Sequence, residues 1–304
     1  MYKALYRTWR PMSFDDVISQ PHITETLQNQ VRTGKTAHAY LFTGSRGTGK
    51  TTCARILAKA VNCPHAVNGN PCLECDICKD ADRGILSDVI EIDAASNNSV
   101  EDIRDLREGT VYRPERCAYK IYIIDEVHML SGSAWGALLK VMEEPPAYVV
   151  ILLLTTNADS FLPTINSRCI TLDLKAVPNE KIKSYLMEHC QIPDYQAEVC
   201  TAFAQGNVGK AIKLASSESF NEIKNSALQL IRRLKEIDLY EMMEAVKQIS
   251  EYKLEINDYF DIMMIWYRDV LLYKATADVN HLVFRDEIYD RVRAKVPMRE
   301  LSRS

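Results

Sequence analysis

The sequence predicts an α/β fold, in which a parallel sheet carries a phosphate-binding loop, followed by two helical regions. Three observations predict it. Residues 44–51 form a glycine-rich loop between a short apolar run and a helical pattern. Residues 120–126 form a second apolar run that ends in two carboxylates. From residue 178 onward the apolar residues recur at helical spacing.

The glycine-rich loop reads Gly-Ser-Arg-Gly-Thr-Gly-Lys-Thr, with a strand-length run at 38–43 before it and a helical pattern at 52–61 after it. An ordinary glycine-rich turn needs neither flank, whereas a nucleotide phosphate loop needs both. Glycines let successive backbone N–H groups converge on one anion, and the helix N-terminus adds its positive dipole end. We expect Lys50 to reach the β- and γ-phosphates of ATP and the Thr51 hydroxyl to face Mg²⁺. The predicted nucleotide contacts of the loop are Gly44, Ser45, Gly47, Thr48, Gly49, Lys50, Thr51 and Thr52.

Composition limits the class of protein. The chain has 304 residues, 47% of them hydrophobic, which suggests two or three domains with real cores. Its net charge of −4 means that any nucleic-acid contact must come from a local patch or an assembly. Residues 1–20 have no apolar segment of the kind found in secretion signals, and no apolar run approaches the roughly 20 residues that span a bilayer. We therefore expect a cytoplasmic protein, in which cysteines are thiols or metal ligands rather than disulfides.

The opening segment, residues 5–20, is rich in aromatic residues and arginines. Taken alone, it fits an RNA-binding arm or a surface loop, and its pattern does not decide between them. Residues 23–31 follow as an amphipathic helix with one apolar stripe.

Four of the nine cysteines form a C-x8-C-x2-C-x2-C array: Cys63, Cys72, Cys75 and Cys78. Four thiolates close a tetrahedral shell, which favours a structural Zn²⁺ within a module at 62–80. An iron–sulfur cluster or unligated thiols remain alternatives, although nothing else in the sequence indicates a redox role. The module lies outside the phosphate loop in sequence, and on that ground we expect its loss to leave ATP affinity nearly unchanged.

Two carboxylates complete the predicted nucleotide site. A buried strand over 120–125 would carry Asp125 and Glu126 to the carboxyl edge of the sheet, where ligands bind. Asp125 would join the Mg²⁺ shell and Glu126 would polarise the attacking water, although a solvated acidic turn has the same pattern. A third strand at 149–154 is followed by polar residues that can orient that water. Taken alone, Arg168 would be interpreted as a surface charge, but in an oligomeric ATPase its position before a short strand suits an arginine finger.

The sequence resembles the clamp-loader ATPases of the bacterial replicative polymerase, which belong to the AAA+ class, most closely their gamma/tau subunits. The matching segments run nearly continuously from residue 1 to about 175. They are Tyr6-Arg7-Thr8-Trp9-Arg10-Pro11, Phe14-Asp15-Asp16-Val17, the phosphate loop, the four cysteines, Asp125-Glu126-Val127-His128-Met129-Leu130-Ser131, Leu139-Lys140-Val141-Met142-Glu143-Glu144-Pro145-Pro146 and Ser167-Arg168-Cys169.

The resemblance implies further roles. Thr156 would occupy the family's sensor position, Arg168 would act on a neighbouring subunit's ATP, and the cysteines would form the family's zinc module. The opening arm would contact the adenine side of ATP through Tyr6, Arg10, Pro11, Val17 and Ile18. The implied function is an ATPase subunit of the DNA polymerase III holoenzyme that loads the sliding clamp on primed DNA. Its partners would be the other subunits of a hetero-pentamer, the clamp, and primer-template DNA contacted through its backbone.

The resemblance also implies three parts: an AAA+ ATPase domain at 1–175, a helical lid at 176–217 and a helical oligomerisation collar at 218–304. The chain departs from the gamma/tau pattern in the lid, where Gly209 stands at the position of a sensing arginine and Lys210 follows it. This departure favours an alternative, a delta-prime-type subunit that acts as scaffold and arginine donor with little ATPase of its own. The last twenty residues end without an obvious terminal helix, so we expect the natural chain to extend further.

Overall fold

A computed structural model describes residues 10–157, 163–234, 236–252, 256–279 and 282–285. The chain divides into two compact units. Of the described residues, the first contains those up to Lys181 together with Gly206–Gly209, and the second contains Ile182–Gln205 and those from Lys210 onward. The predicted boundary between lid and collar at residue 217 stays a prediction. Among the described helices, none is long and apolar enough to cross a membrane.

The first unit is built on a five-stranded parallel sheet, which confirms the predicted α/β fold. Its strands are β1 (Ala39–Thr43), β2 (Val89–Asp93), β3 (Lys120–Asp125), β4 (Val149–Thr155) and β5 (Ile170–Asp173). They lie in the order β2-β3-β4-β1-β5. β4 therefore lies between the strand that precedes the phosphate loop and the strand that carries the acids. Because the strands are parallel, all their carboxyl ends meet at one edge.

Helices cover both faces of this sheet, as parallel strands require. They are α1 (Pro21–Thr33), α2 (Lys50–Asn62), α3 (Asp76–Arg83), α4 (Val100–Thr110), α5 (Gly132–Glu143) and the short α6 (Pro163–Asn166). α1 and α2 pack on one face with the buried Phe14 of the opening segment. α4 and α5 pack on the other face. Ser99 begins α4 with a capping box to Asp102, which fixes where that helix starts after β2.

The remaining helices lie wholly or mainly in the second unit, which confirms the predicted helical region after the sheet. They are α7 (Asn179–Cys190), α8 (Asp194–Ala204), α9 (Val208–Ala215), α10 (Glu218–Arg233), α11 (Leu239–Glu251) and α12 (Ile256–Thr276). α10 packs on α12, and the buried carboxylate of Asp269 accepts hydrogen bonds from the backbone N–H groups of Val283 and Phe284. The outer stripe of α12 is exposed at Phe260, Met264, Tyr267 and Leu271.

Candidate nucleotide site and cysteine module

The phosphate loop lies between β1 and α2, where the sequence places it, and glycine is required at its closest approaches. Gly44 has a φ of +135°, and a Cβ there would lie 2.3 Å from the Leu174 carbonyl oxygen. Gly47 has a φ of +82°, and a Cβ there would lie 1.9 Å from the side chain of Asn207. Thr48 closes the turn by donating from its hydroxyl to the Ser45 carbonyl at 2.9 Å. Both positions therefore need glycine, because of their backbone conformation and because the neighbouring residues leave no room for a side chain.

Lys50, the first residue of α2, bends back into the loop. Its Nζ donates to the carbonyl oxygens of Gly44 at 2.8 Å and Ser45 at 2.9 Å, and the residue is only 6% exposed. Burial lowers the pKa of its ammonium, while the nearby charges of Glu126 and Asp125 act in the opposite direction. The ammonium is therefore held beneath the loop, within reach of an anion that enters it.

Thr51 and Asp125 meet directly, although 74 residues separate them. The Thr51 hydroxyl donates to Asp125 Oδ2 at 2.9 Å, which links the start of α2 to the end of β3. Hydroxyl and carboxylate oxygens are ligands that Mg²⁺ prefers, so this pair fits a Mg²⁺ shell beside the phosphates. Glu126 follows with a φ of +46°, a left-handed conformation that is strained for a residue other than glycine. Strain of this kind is retained where the placement of one side chain matters.

Polar groups at and near the end of β4 lie beside the Glu126 carboxylate. The exposed Thr156 donates from Oγ1 to Glu126 Oε2 at 3.5 Å, so the structure brings together two residues that the sequence selected. His128, which sequence reasoning did not select, lies with its Nδ1 3.6 Å from Glu126 Oε2 and 3.1 Å from the buried hydroxyl of Thr155. The Glu126 carboxylate therefore has the Thr156 hydroxyl and the His128 imidazole within reach, and these contacts restrict its orientation.

Asn207 is a second residue that sequence reasoning missed. It precedes α9, and its amide Nδ2 donates to the carbonyl of Arg46 in the phosphate loop at 3.1 Å. The neighbouring Gly206 accepts from the backbone N–H of Val177, which places this segment beside the loop. A separation of about 160 residues left no local signal for this contact. Gly209, at the family's arginine position, is exposed.

The opening arm is described from Arg10 onward, so Tyr6 lies outside the described residues. Arg10, Pro11, Val17 and Ile18 are all half-buried, and Val17 packs against the core beneath α1 and α2. The arm ends at Gln20, whose side-chain amide exchanges two hydrogen bonds with the backbone of Lys175, at 2.6 and 3.3 Å. Residues 10–20 of the arm are thus folded against the first unit, and the contact of the arm with the adenine side of ATP stays a prediction.

Arg168 lies between α6 and β5. Its guanidinium donates to Glu143 at the end of α5 at 3.0 Å and to the Thr164 carbonyl at 2.8 Å. About a third of its side chain is exposed. These contacts hold the guanidinium at the surface of its own chain, and its role as an arginine finger stays a prediction.

The four cysteines lie together, with their sulfur atoms within 4.8 Å of one another. A tetrahedral Zn²⁺ with bonds of about 2.3 Å separates its sulfur ligands by somewhat under 4 Å, so these positions fit the ion. The backbone N–H groups of Cys72, Cys75 and Cys78 each donate to the sulfur of the preceding cysteine in the array, at 3.3–3.4 Å. Hydrogen bonds from Cys75 and Glu74 lower the pKa of Cys72 to about 6, whereas burial raises the pKa of Cys63 and Cys78, so it is the sulfur positions that indicate a metal site. The cluster therefore suits a zinc ion.

Comparison with known proteins supports what the geometry indicates. The fold is similar to that of the Thermotoga maritima RuvB Holliday junction branch migration motor, with a TM-score of 0.51 and 18% identity over 79% of this chain and 73% of that one. At that identity the likeness concerns the fold, an α/β P-loop ATPase fold. A profile of the family described as "DNA polymerase III, delta subunit" matches residues 19–178.

Two relatives identify the family more closely. DNA polymerase III subunit tau of Bacillus subtilis (strain 168) is 38% identical over 99% of this chain, which spans 58% of the relative's length. DNA polymerase III subunit gamma of Buchnera aphidicola subsp. Schizaphis graminum is 34% identical over 93% of this chain and 84% of its own. The chain belongs to the DNA polymerase III gamma/tau family. These relatives support the gamma/tau assignment over the delta-prime alternative.

Proposed function

We propose that this chain is a clamp-loader ATPase subunit that uses the binding and hydrolysis of ATP to load a sliding clamp on primed DNA. The observation that supports it best is the hydrogen bond between Thr51 and Asp125, with Lys50 and Glu126 beside it. It unites the phosphate loop and the acidic strand in the arrangement that phosphoryl transfer to water needs. Membership of the gamma/tau family supports the same function.

Each residue has a part in the proposed reaction. Lys50 leaves the carbonyls of the loop and pairs with the β- and γ-phosphates of ATP. Thr51 and Asp125 would hold Mg²⁺, which would supply positive charge beside the phosphates. Glu126 accepts a proton from the attacking water at its carboxylate, and Thr156 Oγ1 keeps that carboxylate in position. Arg168 acts on the ATP of the adjacent subunit, which requires an assembly.

We propose the partners that follow from this role: other clamp-loader subunits in a hetero-pentamer, the sliding clamp, and primer-template DNA. The net charge of −4 argues that DNA is tracked through its phosphates by several subunits together, without base readout. The exposed apolar stripe of α12 supports a packing role for the C-terminal helices in that assembly.

The test is hydrolysis by the complex that contains this chain, the clamp and primed DNA, with wild type compared with Glu126→Gln. Loss of the general base should lower the rate at this subunit's site by about two orders of magnitude or more, while ATP still binds. Glu144→Gln, an exposed carboxylate after α5, is the matched control and should hydrolyse like wild type. Equal rates for wild type and Glu126→Gln would show that this chain is not the motor.

A further inference from the structure

The cysteine module is fastened to the opening arm, a link that the sequence gives no reason to expect. Between Cys63 and Cys72 the chain forms a two-residue hairpin, in which Val67 and Asn70 exchange backbone hydrogen bonds at 2.9–3.0 Å. Asn68 and Gly69 have φ values of +53° and +83°, as a type I′ turn requires. The tip presses on α1: a Cβ on Gly69 would lie 2.4 Å from the carbonyl oxygen of Gln28.

Asn70, at the end of this hairpin, makes the link. Its Oδ1 accepts from the backbone N–H of Phe14 at 2.9 Å, and its Nδ2 donates to Asp15 Oδ2 at 2.8 Å. Gln28 of α1 donates to Asp15 Oδ1 at 2.7 Å and to Asn70 Oδ1 at 3.3 Å. One amide therefore joins the module, the arm and α1, and it does so beside the fully buried ring of Phe14.

Lys59 supplies an independent second link. This residue of α2 is 3% exposed, and its Nζ donates to the Met12 carbonyl at 3.2 Å and to Asp82 of α3 at 2.8 Å. α2 begins in the phosphate loop, and α3 is the helix that follows the cysteines. The arm segment at 12–15 is thus held from two sides by the cysteine module and by the helix that carries Lys50.

We propose that Asn70 is a positioning residue, through which the metal-bound module holds the arm in the conformation that accepts the adenine side of ATP. The inference rests on the proposed function, because the arm's contact with adenine belongs to it. A hairpin of polar residues has little apolar surface to order it, so the metal supplies its rigidity. Releasing the hairpin frees residues 12–18 and weakens binding of the base while the phosphate loop is untouched. These contacts argue against the expectation that the module and ATP affinity are independent.

The test compares two ligands in the full chain with Mg²⁺: ATP, and inorganic tripolyphosphate, which has no base. Asn70→Ala should raise the Kd for ATP about fivefold to thirtyfold, the range of one to two lost hydrogen bonds, and leave the Kd for tripolyphosphate within twofold. Asp15→Ala, which removes the partner on the exposed arm side, should produce the same selective loss. Asn68→Gly is the matched control, since it removes an exposed amide from the same hairpin at a φ that glycine adopts freely.

Metal content gives a readout that is independent of nucleotide. Asn70→Ala should retain the wild-type amount of zinc, and chelation should weaken ATP binding by wild type but add little to the loss in Asn70→Ala. Unchanged ATP affinity in both variants, or an equal loss for both ligands, would overturn the inference. Failure of the wild-type chain to bind ATP would overturn the proposed function itself, and the inference with it.

Discussion

Asp88 offers a test of how the start of the acidic strand is held. Its carboxylate is 1% exposed and accepts three backbone N–H groups, from Glu115 at 2.8 Å, Arg116 at 2.8 Å and Cys117 at 3.0 Å. Its carbonyl oxygen accepts from the backbone N–H of Ile121, the second residue of β3. Asp88→Ala removes the acceptor for all three groups. At about 1–1.5 kcal/mol for each of the three donors, the loss in the free energy of unfolding is about 3–4.5 kcal/mol.

For a unit of this size, that loss corresponds to a fall in the melting temperature of about 6–18 °C at pH 7. Calorimetry of the full chain measures it on the transition of the sheet-containing unit, and hydrogen exchange should rise at residues 115–117. Asp105→Ala, an exposed carboxylate on α4, is the control and should change the melting temperature little. A fall of less than about 2 °C in Asp88→Ala would refute the reasoning.

The pH dependence follows from the sign of the shift at Asp88. Burial alone would raise its pKa, but the three backbone N–H groups outweigh burial and the pKa is lowered. A carboxylate with a lowered folded pKa contributes its full stability above its unfolded pKa of about 3.9, and loses it as pH falls through the folded pKa. The difference between wild type and Asp88→Ala should therefore be constant from pH 7 to pH 5 and should narrow below about pH 4. A difference that widens on acidification would contradict this account.

Two further predictions concern the module and the loop. Protein prepared without chelators should hold one zinc per chain. Cys75→Ser should lose the zinc and become sensitive to proteases at residues 63–83, whereas the control Cys190→Ser should keep it. Full metal content in Cys75→Ser would show that the zinc site lies elsewhere. Asn207→Ala should raise the Kd for ATP about twofold to tenfold by calorimetric titration, because it removes one hydrogen bond to the phosphate loop, and an unchanged Kd would mean that this bond is incidental.

The strands of the sheet could be predicted from the sequence, because the strands of a parallel sheet that is buried on both faces are continuous apolar runs. The run at 149–154 and the run before Asp125 became β4 and β3, with boundaries within one residue of those expected. The order of the strands was not available from local pattern, since each strand's neighbour is chosen by contacts distant in the chain. The residue types at 98 and 99 both suit a helix cap, and the capping box with Asp102 is what selects Ser99 as the cap of α4.

Some residues of the candidate site could likewise be predicted from local sequence, whereas others are revealed only by the fold. In the phosphate loop and in the acidic strand the functional residues stand next to one another in short motifs. The sequence alone was therefore enough to select Lys50, Thr51, Asp125 and Glu126. His128, Asn70 and Asn207 could not, because a lone histidine or asparagine gives no periodic or spacing signal. Their importance appears only when the fold brings a carboxylate, a backbone N–H or a loop carbonyl within hydrogen-bond distance.

Three of the connections around the proposed ATP site share one chemical feature, namely that the amide of a neutral side chain makes them. Gln20 joins the end of the arm to Lys175, Asn70 joins its middle to the cysteine module, and Asn207 joins the segment before α9 to Arg46. An ion pair at these places would put a carboxylate or a competing cation near a polyanion, and its strength would change when ATP and Mg²⁺ arrive. An amide offers both a donor and an acceptor without net charge, so its contacts persist in either state. These three amides therefore help to set the shape of the site, alongside the ion pair between Lys59 and Asp82.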